Sequence, residues 1–139
     1  MDYIGPKESN TRDARSLDQY SITLTDFGFA TRYVDPASWE HISKEKIDTF
    51  RGNLPMASLN QLKFHNTSRR DDLISLFHLL VFLFKEGELP GITTGLTGDL
   101  AQDMEIVYET KKSMRSKDWC TGKTKNLYKF KLEVFSYRF

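Results

Sequence analysis

The chain has 139 residues, 39% hydrophobic and 28% charged, which suits one globular domain or part of a larger one and excludes wholesale disorder. Its 20 Lys plus Arg nearly balance 19 Asp plus Glu, so overall charge points neither to nucleic acid nor to a membrane surface. A single cysteine, Cys120, excludes an internal disulfide and suits a reducing compartment. The three histidines, His41, His65 and His78, are too widely spaced for a metal-ligand pattern.

Residues 1–19 are polar, carry Gly5 and Pro6, and show no apolar period; they read as a flexible lead-in. Residues 20–25 alternate, with Ile22 and Leu24 on one side, which predicts a short β-strand running into Asp26-Phe27-Gly28. Residues 30–54 have few clustered apolar side chains and read as a long ordered loop.

The clearest helix spans 68–84. Ser68-Arg69-Arg70-Asp71 fits a capping box, in which the serine oxygen accepts from an early backbone N–H and the acid reaches back. Ten apolar residues between Leu73 and Phe84 leave almost no polar face, which predicts a buried central helix too short to span a membrane. Gly87 and Pro90 mark its end. Two amphipathic helices follow. One spans 99–112, with Leu100, Met104, Val107 and Tyr108; the other spans 124–139, with Leu127, Phe130, Val134 and Tyr137. From Lys111 onward nine basic residues face only Asp118 and Glu133, so this end is either a solvated helix surface or a surface for an acidic or phosphorylated partner.

An Asp-Phe-Gly triplet alone can be a strand-end turn or a loop whose carboxylate holds Mg²⁺ on nucleotide phosphates. The second block of sequence weighs more. Gly52-Asn53, Ala57-Ser58-Leu59-Asn60, the run Ser68-Arg69-Arg70-Asp71-Asp72-Leu73-Ile74-Ser75-Leu76, and Gly87-Glu88-Leu89-Pro90 follow one another in order and spacing. Together they resemble the casein kinase I family of protein kinases, over about residues 22–139.

The resemblance implies the mainly α, C-terminal lobe of a protein kinase-like fold, incomplete, occupying residues 20–139. It implies transfer of the ATP γ-phosphoryl group to Ser or Thr of proteins, with ATP and Mg²⁺ as cofactors. The sequence itself, with no apolar signal region and no stretch of 18 uninterrupted apolar residues, leads to the expectation of an intracellular protein, in cytoplasm or nucleus. By the same resemblance Asp26 matches the metal ligand, and Phe27 and Gly28 the residues packed behind it beside the nucleotide. Gly52, Asn53, Ala57, Ser58, Leu59 and Asn60 match the substrate loop. Asp72 matches a buried acid that ties the central helix to the catalytic loop; read by itself, it is an acid favoured by the helix dipole. Lys111 and Lys112 resemble part of an anion site for phosphorylated substrates.

The sequence also departs from the family. Pro55 stands where the family's anion-holding arginine is expected, and Gly91 where a tryptophan follows Leu-Pro. Only 25 residues precede Asp26, too few for a glycine-rich loop and a strand lysine. Thr11-Arg12-Asp13, the best match to a catalytic loop, has Arg15 and Asp18 where lysine and asparagine belong. The expectation is therefore a lobe inactive by itself, with no convincing catalytic residue, whose partners are a protein substrate or the missing kinase half. A degenerate lobe serving as an interaction module, open to acidic or phosphorylated peptides, is the alternative.

Overall fold

Sixteen residues, Arg69–Phe84, form the long helix around which the rest is arranged. The computed structural model describes Ser21 and residues 23–136; the lead-in expected over 1–19 lies outside the described residues. Among the described residues five α-helices occur in chain order: α1 Leu59–Leu62, α2 Arg69–Phe84, α3 Leu100–Ser113, α4 Ser116–Trp119 and α5 Leu127–Ser136. Short 3₁₀ turns occupy Phe27–Phe29, Leu54–Met56 and Gly122–Thr124. The architecture is mainly α, as the sequence implies.

The strand expected over 20–25 does not form among the described residues. Residues 23–25 carry no ladder pairing and are exposed, while Tyr20 and Ile22 lie outside the described residues. Alternation marks a strand only where a neighbouring edge accepts its backbone hydrogen bonds, and here none does. The loop over 30–54 is instead pinned at a few points. Isolated antiparallel bridges join Val34 to His41 and Lys46 to His65. The Asn66 amide clamps the same stretch, accepting from the Glu45 N–H and donating to the Ser43 carbonyl, both at 2.9 Å.

Helix α2 begins on the predicted box, with one change of detail. The Asp71 carboxylate accepts from the Ser68 N–H and from the Ser68 hydroxyl, both at 2.9 Å, so the hydroxyl donates to the acid. At the other end the Glu86 N–H bonds to Leu83 O and the Gly87 N–H to Phe82 O, a Schellman closure. Glu86 itself takes the left-handed conformation, φ 58°, followed by Gly87 at φ 96°.

The core gathers Phe77 and Val81 of α2, Leu89 and Ile92 of the following turn, Val107 of α3, and Trp119 and Cys120 of α4 and its cap. Helix α2 packs on α5 and on the Leu54–Met56 turn, α1 packs on α3, and α4 on α5. Each large apolar side chain so buried contributes about 1.5–3 kcal/mol. The expectation that α2 is buried all round holds for one face only: Leu76, Leu79, Leu83 and Phe84 are exposed. A uniformly apolar helix reports that burial is wanted on every side, not that this stretch of chain supplies it.

Candidate functional site

The Asp-Phe-Gly segment lies at the start of the described chain. Asp26 sits in the left-handed region, φ 59° and ψ 75°, and its carboxylate accepts from the Gly28 N–H at 3.2 Å. Asp tolerates this conformation better than most residues because its short side chain bonds its own backbone locally. The packing role that the resemblance implies for Phe27 is not met here, since the ring is 69% exposed. No group of three or more His, Cys, Asp or Glu that could hold a metal occurs among the described residues. Asp26 is a lone carboxylate, so the described residues do not by themselves fit a Mg²⁺–ATP site, which needs a second ligand beside the phosphates.

The loop matched to substrate binding is the best-built part of the molecule. Gly52 adopts φ 123°, a conformation closed to side chains bearing a Cβ, and Asn53 leads into the Leu54–Met56 turn. Ala57 and Ser58 are buried. Ser58 caps α1, its hydroxyl accepting from Gln61 N–H at 3.1 Å while the Gln61 amide oxygen accepts from Ser58 N–H at 2.7 Å. The same hydroxyl donates to Asp71 at 2.6 Å, and Asn60 Nδ2 donates to Asp71 at 3.1 Å. Asn60 Oδ1 accepts from Lys44 at 2.7 Å, tying in the preceding loop. Leu59, between them, stays at the surface.

Asp71, 1% exposed, is thus the hub that locks this loop to the start of α2. The resemblance singles out Asp72 as the buried acid, and the structure reverses the pair: Asp72 is exposed. Adjacent helical residues point about 100° apart, so only one of two neighbouring acids can turn inward on the loop. Asp72 lines a cavity of about 170 Å³ with Gly52, Thr31 and Phe29. Although the residue is exposed, partial desolvation of its carboxyl there, with the neighbouring Asp71 charge, raises its pKa above the ordinary carboxylate value. A second cleft of about 700 Å³ joins the loop over 31–44 to Asn60, Ser68 and Asp71, with Arg32, Lys44 and Arg70 on its walls.

The anion site implied for Lys111 and Lys112 is not formed by the two together. Lys111 is buried, and its ammonium donates to the Pro55 carbonyl at 2.7 Å and to the Ala57 carbonyl. It therefore braces the backbone at residues 55–57. Burial lowers its pKa to about 7. His78 lies beside it, with Nδ1 3.0 Å from the Met56 carbonyl, and burial first, then the Lys111 charge, lowers its pKa to about 3. Lys112 points outward to Glu109 at 3.1 Å, which raises its pKa.

The sequence reading passed over Asp71 as a hub, Lys111 as a brace and Lys131, which is almost wholly buried. The signal for both lysines was their period: Lys111 follows Val107 by four residues, and Lys131 follows Leu127 by four and precedes Val134 by three.

No protein-family model matches the chain. Among curated proteins it is 38% identical over 76 residues to casein kinase 1-like protein HD16 of Oryza sativa subsp. japonica, covering 54% of this chain and 11% of that protein. It is 31% identical over 111 residues to casein kinase I homolog 1 of Schizosaccharomyces pombe, covering 78% of the chain and 24% of the relative. Against casein kinase I homolog 1 of Saccharomyces cerevisiae the identity is 34% over 106 residues, 76% of the chain and 19% of the relative. The chain is thus similar in sequence to several casein kinase I proteins over part of their length. It spans only about a tenth to a quarter of the length of these relatives. Among the described residues no helix is long and apolar enough to cross a membrane.

Proposed function

We propose that this chain is the substrate-side part of a Ser/Thr protein kinase of casein kinase I type. In this reading Asp26 supplies one carboxylate to Mg²⁺ on ATP, and residues 52–60 receive a protein substrate beside its accepting hydroxyl. The observation that carries the proposal is the lock of Ser58 and Asn60 on Asp71, which holds the substrate loop rigidly on α2. Phosphoryl transfer depends on several groups placed together, and a base, a second metal ligand and a phosphate-covering loop are not found in these 139 residues. The chain alone should therefore not phosphorylate casein with Mg²⁺ and ATP, and Asp26→Asn should change nothing.

The positive half of the reading is tested with a chimera, in which the part of the Schizosaccharomyces pombe relative upstream of the position that aligns with Asp26 is joined in frame to Asp26. Transfer by the chimera, reduced about 100-fold or more by Asp26→Asn, is the expected result, since metal-held charge is worth several kcal/mol in the transition state. A folded chimera without activity would reject the kinase reading in favour of a non-catalytic interaction module.

A further inference from the structure

A cavity of about 520 Å³ opens between α2, the α3–α4 junction and α5, away from Asp26. Four cationic side chains line it, Arg70, Lys111, Arg115 and Lys131, against one carboxylate, Asp71. That carboxylate is already saturated by neutral donors: Ser58 Oγ, Asn60 Nδ2, and the N–H and hydroxyl of Ser68. Lys111 is satisfied by backbone carbonyls, and Arg115 is exposed with Asp118 at 3.7 Å.

Two cations remain unneutralised. Lys131 is 4% exposed, and its ammonium lies 5.1 to 5.6 Å from the ring centres of Phe135, Trp119 and Phe77. Among the described residues it makes no hydrogen bond and no ion pair. Arg70 donates through Nη2 to the Phe135 carbonyl at 3.1 Å, but its buried Nε–H has no acceptor. Ring faces offset only part of the cost of removing an ammonium from water, and a buried donor without an acceptor adds to it. One oxyanion between these groups would serve both. Leu59, Ile74, Met114 and Trp119 add apolar wall beside the polar Ser58, Asn60, His78 and Ser116, and the volume far exceeds the roughly 30 Å³ of one water.

The geometry points to a binding site for a small phosphomonoester, its oxyanion between Lys131 and Arg70 and its apolar body against Trp119 and Ile74. The site lies apart from Asp26, although Ser58, Leu59 and Asn60 of the 52–60 loop form part of its wall, and it stands whether or not the chain belongs to an active kinase. Burial lowers the Lys131 pKa to about 8, against opposing effects of Cys120 and Asp118. The other titratable or charged groups facing it are Arg70, Asp71 and His78 of α2, Lys111 of α3, and Arg115. Affinity therefore falls as pH rises from 7 through about 8, where Lys131 loses its proton. A phosphomonoester, with a second pKa near 6, is already fully ionised over that range.

The test uses the 139-residue chain, titrated at pH 7 and low salt with phenyl phosphate and with inorganic phosphate, read by calorimetry and by Trp119 fluorescence. Saturable one-to-one binding is expected, with phenyl phosphate at least about tenfold tighter than phosphate. Lys131→Met keeps the ring cage filled and should weaken phenyl phosphate at least about tenfold, with circular dichroism unchanged. Should that variant fail to fold, Arg70→Gln at a half-buried position and the pH dependence of the unmodified chain decide. Absence of saturable binding at millimolar ligand overturns the inference. So does equal affinity for the two phosphates, unchanged affinity in folded variants, or affinity that rises with pH.

Discussion

Replacing Phe77 by Ala is expected to remove about 3–5 kcal/mol of stability, a large share of the roughly 5–15 kcal/mol that holds a typical domain together. The ring is 0% exposed and sits where three helices meet. Its centroid lies 5.6 Å from His78, 6.3 Å from Trp119, 6.1 Å from Phe135 and 6.5 Å from Phe130, stacked on the last and edge-on to Trp119 and Phe135. Truncation removes the transfer energy of the ring and leaves a void among rigid aromatic neighbours that cannot collapse into it. The same ring forms one wall of the Lys131 cage, so its loss also weakens a cation–π contact. Leu76→Ala, one residue earlier and on the exposed face, should change stability by less than about 1 kcal/mol. Urea melts followed by circular dichroism measure both, and a Phe77→Ala loss below that of Leu76→Ala would overturn this picture of the core.

Asp71→Ala should be nearly as damaging, at about 3–4 kcal/mol, through polar groups instead of apolar ones. It strands the fully buried Ser58 hydroxyl, the Asn60 amide and the Ser68 N–H and hydroxyl, which converge on one carboxylate. Each buried donor left without an acceptor costs roughly 1–3 kcal/mol, although partial entry of water limits the sum. Asp71→Asn offers only partial relief: its amide oxygen can keep the bonds made by one carboxylate oxygen, while its NH₂ turns a donor toward the Ser68 or Asn60 N–H donors on the other side. The neighbouring Asp72→Ala is the control, expected to be nearly neutral because Asp72 accepts none of these bonds. The two variants are compared by thermal melting and by amide exchange over residues 52–60. Faster exchange there in Asp71→Ala only is the expected result; equal effects of the two substitutions would show that the loop is held by something else.

How much of this was legible beforehand differs from element to element. Helices α2, α3 and α5 were readable because their apolar periods and caps are local, and each end that falls among the described residues was placed within a few residues. The segment before Asp26 was misread because pairing depends on an edge elsewhere in space, which alternation does not report. The choice between Asp71 and Asp72 was likewise closed to sequence reading: both stand in the first turn, and only the path of the 52–60 loop decides which is turned inward. Resemblance selected Asp72, and this chain buries Asp71. The lysines form a third case. A view of basic residues as surface hides Lys111 and Lys131, although their register with Val107, Leu127 and Val134 places them on inward faces.

The tie between α2 and α5 bears on how this chain comes off the ribosome. Arg70 near the start of α2 donates to the Phe135 carbonyl near the end of α5, and the two helices form the main packed pair. Roughly fifty residues separate the end of α2 from the end of α5, so at about 5–20 residues per second the long apolar helix waits some 3–10 s for its counterpart. During that interval both its faces are open to whatever holds nascent apolar segments. Arrested nascent chains that have exposed α2 but not α5 should be cut readily by protease within 69–84, and the full-length released chain should not. Equal resistance of the two would mean that α2 finds cover before α5 is made.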